Sequence, residues 1–188
     1  MAENKIVRAT AISNRTQKDR IENRRVQSSK EKFDGYNTSK WEHTYFNKET
    51  GGYVVTEIER ITEGHKTKNN KITFDKEQEM SRNYANWGFQ IEHLNEPRGE
   101  KSPDVRVNRI GTRLRVNGLP GDLKRLDSVD KVYKRAKEAI IEKKAKIVLF
   151  EFTFDKESSN LRGELAKIRK KGWMAYYYFS GENTYHKI

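Results

Sequence analysis

FQIEHLNEPRGEKSPDVRVNRIGTRLRVNGLPGDLKRL, residues 89–126, is the stretch on which the fold turns. Phe89 to Leu94 alternates apolar and polar residues, as a strand with one covered face does. Pro97, Gly99 and Pro103 then mark a loop. Val105 and Val107 begin a second strand, and Arg113 to Val116 and Gly121 to Arg125 read as further strand segments around the turn signal Asn117-Gly118. Strands therefore follow one another here with no room for a helix between them.

Outward from this unit the period changes. Upstream, in FDKEQEMSRNYANWGF, Met80, Tyr84 and Trp87 recur at helical spacing and Gly88 stands where a helix would stop. Downstream, Ser128 is a candidate cap for a helix whose apolar face is Val129, Val132, Tyr133, Ala136 and Ile140. AKIVLFEFTF, residues 145–154, is apolar without alternation in its middle, the pattern of a central strand covered on both faces. A last helix is predicted from about Lys156 to Lys171, with Leu161, Leu165 and Ile168 inward and Gly172 as its stop, before a final strand WMAYYYFS. From Ile72 the order is helix, three strands, helix, strand, helix, strand, a mixed α/β layer fold over residues 72–188.

Two segments precede that core. Residues 41–71 contain HTYFN and YVVTEIERI on either side of the turn formers Lys48 to Gly52, an antiparallel hairpin, then a polar connector, TEGHKTKNNK. Residues 1–40 hold ten Lys or Arg and five acids with few large apolar side chains. They read as a basic extension that buries little, helical across Gln17 to Lys32, and either mobile or ordered by a partner.

Composition narrows the function. The chain of 188 residues has length for one domain of ordinary size plus the hairpin and extension. No stretch approaches the roughly 18 apolar residues of a membrane span, and the N-terminus lacks the apolar centre of a secretory signal, so the chain reads as soluble. It has no cysteine, which excludes disulfides, thiolate zinc sites and a cysteine nucleophile. A net charge of +12 points to a polyanion as partner.

Hydrolysis of such a polyanion with a hard divalent ion needs carboxylates from different elements at one point, because Mg²⁺ takes oxygen ligands and must also reach a phosphate. Asp104 opens one strand in SPDVRVN, and Asp122 with Lys124 lies on another in GLPGDLKR. Positions i and i+2 of a strand share a face, so Asp122 and Lys124 are neighbours about 7 Å apart along the chain. One can bind an ion while the other orients water and offsets phosphate charge. Glu77 falls on the inward face of the helix before this unit, near its N-terminal end, while Glu79 points outward. Each has a plainer reading: Asp104 as a turn residue, Asp122 and Lys124 as a surface ion pair, Glu77 as a residue favoured at a helix N-terminus.

The joint pattern resembles the PD-(D/E)xK nuclease superfamily, with Pro103-Asp104 as the first half-motif and Asp122-Leu123-Lys124 as the second. FDKEQEM, YANWGFQIEHL, SPDV, GDLKR, IVLFEF and YYYFSG also resemble, in order, the toxin nuclease domains of CdiA-type contact-dependent inhibition proteins and modules attached to phage minor head proteins. That likeness covers about residues 41–182. It implies a restriction-endonuclease-like mixed sheet flanked by helices, phosphodiester hydrolysis with Mg²⁺ or Mn²⁺, and a nucleic acid substrate, tRNA ahead of DNA. Asp104 and Asp122 would be the metal ligands, Glu77 the helix carboxylate and Lys124 the catalytic lysine. An acidic immunity protein, or a phage head or host protein, would be the protein partner; the place of action would be the cytoplasm, reached by toxin delivery or in a phage particle. The sequence departs from the pattern twice. RVNRIGTRLRVNG is longer than a short hairpin, so Asp104 meets Asp122 only if that excursion closes, and SVDKVYKRAKEAI carries no His-Asn pair after the Lys-Arg step.

Other features are weaker. Arg125, Lys131, Lys134 and Arg135 are expected to bind phosphates if the helix after Lys124 flanks the site, and are otherwise a solvated face. His43, His65, His93 and His186 have no metal-ligand spacing and read as surface or hairpin residues. Glu151, an acid within FEFTF, lines the site or forms a salt bridge at an edge. Tyr176, Tyr177 and Tyr178 suit alternating core packing better than stacking on bases.

Overall fold

The computed structural model describes the backbone of residues 2–15 and all of residues 16–95, 102–110 and 118–188. The strand expected at Arg113 to Val116, and the loop markers Pro97 and Gly99, lie outside these residues. Helix α1 (Ala2–Asp34) leads to the hairpin β1 (Trp41–Phe46) and β2 (Tyr53–Glu57). Helices α2 (Ile58–Gly64) and α3 (Lys68–Asn86) follow, then β3 (Phe89–His93), β4 (Val105–Arg109) and β5 (Leu119–Leu126). A 3₁₀ turn (Val129–Lys131) enters α4 (Val132–Lys137), which runs on into a π-helical turn (Glu138–Glu142). After it come β6 (Ile147–Phe152), α5 (Leu161–Lys170), β7 (Met174–Phe179) and the short β8 (His186–Lys187).

The eight strands of the described residues form one mixed sheet in chain order. The pairs β2–β3, β5–β6 and β6–β7 are parallel, each joined through helices, and the other four are antiparallel. The mixed α/β class expected from the periodicity is therefore the one observed, and the hairpin continues the same sheet through its pairing with β3. IVLFEF lies between β5 and β7 with every residue buried, as its unbroken hydrophobicity requires.

The alternation of side chains sorts the helices. On one face Met80 and Tyr84 of α3 pack against Phe89, Ile91, Val105, Val107, Leu123 and Leu149. On the other, α4 and α5 cover Val148, Phe150 and Phe152 through Val132, Ala136 and Ile168. Phe33 of α1 covers Tyr53 and Val55 on that same second face. Asp122 and Lys124 are cross-strand partners of Val148 and Phe150, so they too project on the second face, toward the side of α4.

Three expectations need correction. The polar connector is helical: α2 occupies 58–64, and α3 begins at Lys68, where the Thr67 side chain accepts a hydrogen bond from the Asn70 N–H at 3.1 Å. The apolar periodicity starts only at Phe74 because the first turns of α3 face solvent, which hides the true start. Glu77 is consequently mid-helix, not near the N-terminal end. The last helix is shorter than expected: Asn160, at φ 70°, precedes its first turn, and the Asp155 side chain caps a turn by accepting from the Glu157 N–H at 2.9 Å. Finally, α1 extends well beyond Gln17 to Lys32, and its end does bury surface. Ser29 and Phe33 are buried, and Gln90 donates to Ser29 Oγ at 2.7 Å. The polar face of β3 is thereby covered, and Gln90 and Glu92 are buried although the alternation of β3 is as read.

Candidate active site

Val105 pairs with Gly121 in the antiparallel register of β4 and β5, which sets Asp104, one residue before β4, beside Asp122. The excursion between the half-motifs thus closes, and both aspartates are buried: their side chains are 5% and 0% exposed. Two like charges side by side in a dry setting repel unless compensated. Two lysines compensate them. Lys143 Nζ donates to Asp104 Oδ1 at 2.5 Å and to Asp122 Oδ1 at 3.1 Å. Lys124 Nζ lies 2.5 Å from Asp122 Oδ2, an ion contact without hydrogen-bond alignment, so Oδ2 is left with no hydrogen-bond partner.

Burial, reinforced by the neighbouring Asp104 carboxyl, pushes Asp122 up to about 6 against the opposing pull of Lys124 and Lys143. Glu77 stands apart from the pair: Arg60 of α2 holds it at 2.7 Å. Burial raises its pKa against the pull of Arg60, and the Asp104 and Lys124 charges act on it more weakly. Among the described residues no three His, Asp or Glu side chains gather as a metal site. The donor set is the aspartate pair alone. It suits a hard ion such as Mg²⁺, which is held by one or two carboxylates and keeps waters and phosphate oxygens as its other ligands. The buried Asp122 Oδ2, lacking an aligned donor, is an oxygen of the required kind.

A cleft of about 660 Å³ opens at Lys124 and Glu77 and is lined also by Lys76 of α3 and by Lys131 and Arg135. Lys131 and Arg135 are exposed and make pairs on the helix surface, with Asp127 at 2.7 Å and with Glu138 at 2.6 Å. Lys134 is exposed on the same helix. Arg125 is differently placed: it lines the cleft, but its guanidinium is held by the buried Glu151 and, at 2.7 Å, by Glu79. Ser180 Oγ also donates to Glu151, at 2.6 Å, so this strand acid is saturated as a salt bridge and takes no place beside the aspartates.

Of the histidines, His93 departs from the surface reading. It is wholly buried, its Nε2 lies 2.8 Å from Ser81 Oγ, and burial lowers its pKa to about 3. Tyr176 and Tyr178 pack in the core beside Tyr84, whose hydroxyl donates to the Phe150 and Tyr176 carbonyls.

Sequence reasoning missed Lys143 and Arg60. A signal for Lys143 does exist: a parallel β–α–β crossover returns the chain beside the start of its first strand, so residues just before Ile147 must pass the start of β5, where Asp122 stands. Nothing in the sequence distinguishes Lys143 from Lys144 for that role.

No family model matches the sequence, and no curated protein is similar to it. Among solved structures, a CdiA-CT/CdiI toxin and immunity complex from Burkholderia pseudomallei is similar, 12% identical, over 66% of this chain and 89% of that chain, at a TM-score of 0.47. No helix among the described residues is long and apolar enough to cross a membrane.

Proposed function

We propose that this protein is a metal-dependent nuclease of the toxin type that hydrolyses phosphodiester bonds in nucleic acid. The observation that carries the reading is the meeting of Asp104, just before β4, with Asp122 of β5, both buried, with the Lys124 ammonium 2.5 Å from Asp122 and a basic cleft opening beside it. Asp104 and Asp122 would hold one Mg²⁺ or Mn²⁺. Such an ion, when bound, supplies neutralisation of phosphate charge and a more acidic water. Lys124 lies where its ammonium offsets charge developing on the phosphate or orients the attacking water. Lys76, Lys131 and Arg135 line the cleft as contacts for neighbouring phosphates. Exposed pairs such as Lys131–Asp127 are worth little, so exchange of the carboxylate for a phosphate is inexpensive.

RNA, and tRNA in particular, is preferred over DNA through the likeness of the sequence to CdiA-type toxin nucleases. The same reading assigns the protein an acidic immunity partner and a site of action in the cytoplasm of the cell it enters. A rival reading is a nucleic acid-binding protein of a phage particle without turnover; in its favour, Glu77 is bound to Arg60 instead of joining the aspartates. Incubation of the purified protein with tRNA and with double-stranded DNA, plus Mg²⁺ or EDTA and with the ends mapped, separates these accounts. Cleavage abolished by EDTA is the expected result. Binding of either nucleic acid with no cleavage in Mg²⁺ or Mn²⁺ would favour the rival.

A further inference from the structure

The aspartate pair already has a cation between its oxygens. Lys143 Nζ reaches Asp104 Oδ1 and Asp122 Oδ1 together, the bridging position that two carboxylates offer to a divalent ion. Lys143 lies on neither strand. It follows the π-helical turn Glu138–Glu142, and its N–H donates to the Glu138 carbonyl five residues back, at 3.2 Å. A π turn contains one residue more than an α turn, which rotates everything after it by about 100° around the helix axis. Lys144 then adopts φ 61°, a left-handed conformation uncommon for a residue with a side chain, and the Ala145 N–H closes the motif on the Ala139 carbonyl at 3.0 Å. Ala139 and Ala145 are both buried, so the backbone on either side of Lys143 is anchored in the core. An irregular helix end, pinned on both sides, delivers this one ammonium to the aspartates.

Charge balance limits what else can enter. Two carboxylates and two ammonium groups already offset one another, and a divalent ion added to them would leave two positive charges uncompensated in a poorly hydrated site. Lys143 is the ammonium able to leave: it bridges both carboxylates, its side chain is 25% exposed, and its four-carbon stem is flexible.

We propose that Lys143 is a built-in counter-cation, a positioning residue that holds Asp104 and Asp122 together in the ion-free protein and withdraws when a divalent ion is held there. This rests on the metal-dependent reading above. The test is calorimetric titration of the full chain with MnCl₂, for the wild type, Lys143→Met and Lys143→Gln, together with thermal melts with and without Mn²⁺. Both variants should bind Mn²⁺ about ten-fold more tightly than the wild type, a change equivalent to about 1.4 kcal/mol. Their ion-free forms should melt lower, and Mn²⁺ should raise their melting temperature more than it raises that of the wild type. A lysine with only a structural role would leave the affinity unchanged or weaken it as the carboxylates splay, so equal or weaker binding in the variants overturns the proposal. Absence of Mn²⁺ binding in all three proteins removes the metal-dependent reading itself, and this inference with it. Should the methionine variant fail to fold, Lys143→Gln, which keeps a polar group near the carboxylates, carries the comparison.

Discussion

At the scale of single residues, Lys124 and Asp122 carry the sharpest consequences. Lys124 lines the cleft and its side chain is 19% exposed, so Lys124→Ala removes charge from the site without opening a core cavity. The expected outcome is a loss of roughly 10²–10⁴-fold in the initial rate of cleavage, with circular dichroism unchanged; a rate equal to that of the wild type would remove this lysine from the mechanism. Asp122 links the site to pH. Its carboxyl titrates near about 6 in the folded chain against the usual 3.8, so between those values the folded chain keeps a proton that the unfolded chain releases. The contribution of this group to stability is therefore full below 3.8 and declines as pH rises to about 6. Asp122→Asn should flatten the dependence of ion-free stability on pH across that window, as measured by urea unfolding at a series of pH values. The same slope in variant and wild type would contradict the assignment. His93 acts in the opposite sense: held near about 3 against the usual 6.5, it favours the folded chain above 6.5 and opposes it on acidification toward 3.

At the scale of elements, the hairpin is locked to α3 through its turn. Asn47 Oδ1 accepts from the Glu49 and Thr50 N–H groups, Gly51 takes φ 68°, and Thr50 Oγ1 donates to the Ala85 carbonyl at 2.9 Å. Gly52 comes so close to the end of α3 that a Cβ there would lie 1.9 Å from the Ala85 oxygen and 2.8 Å from the Phe89 oxygen. Both obstacles are backbone and cannot swing aside. Gly52→Ala should therefore destabilise the protein by about 2 kcal/mol or more, through forced separation of the turn from α3 and β3. Equilibrium denaturation checks this, and a change within experimental scatter would mean that the turn relaxes freely. The π turn after α4 is the other element with a specific task, since it sets the direction of Lys143.

On the scale of the whole molecule, the net charge of +12 acquires a place. Exposed cations of α4 and α3 line the cleft beside the aspartates, whereas Arg125 is neutralised by Glu79 and Glu151. Affinity for a nucleic acid bound in the cleft should fall steeply with salt, and each phosphate contact removed should lower the slope of log affinity against log salt by about 1. Lys131→Gln combined with Arg135→Gln should accordingly reduce that slope by about 2, measured by fluorescence anisotropy on labelled tRNA. An unaltered slope would place the nucleic acid on another surface. The polar face of β3 makes a related point about scale: α1 covers it, so the first 40 residues contribute to the sheet with their last turns even though their composition suggests a free extension.

Among the described residues the order of helices and strands from Phe74 to Phe179, the sheet class, the central place of IVLFEF and the adjacency of Asp122 to Lys124 were all legible in the sequence, whereas the short β8 was not. Each follows from forces that act within a few residues: the two side-chain periods, turn chemistry at Gly and Pro, and the alternation of a strand. The meeting of Asp104 with Asp122 was legible only as a condition, because it depends on the register in which β4 and β5 pair. Three features belong to the tertiary structure alone: Arg60 holding Glu77, α1 over β3, and Lys143 between the aspartates. Charged side chains carry no periodic signature of their partners, and which lysine reaches a buried carboxylate is decided by packing, here by a crossover helix that returns to the start of β5 and by one additional residue in its last turn.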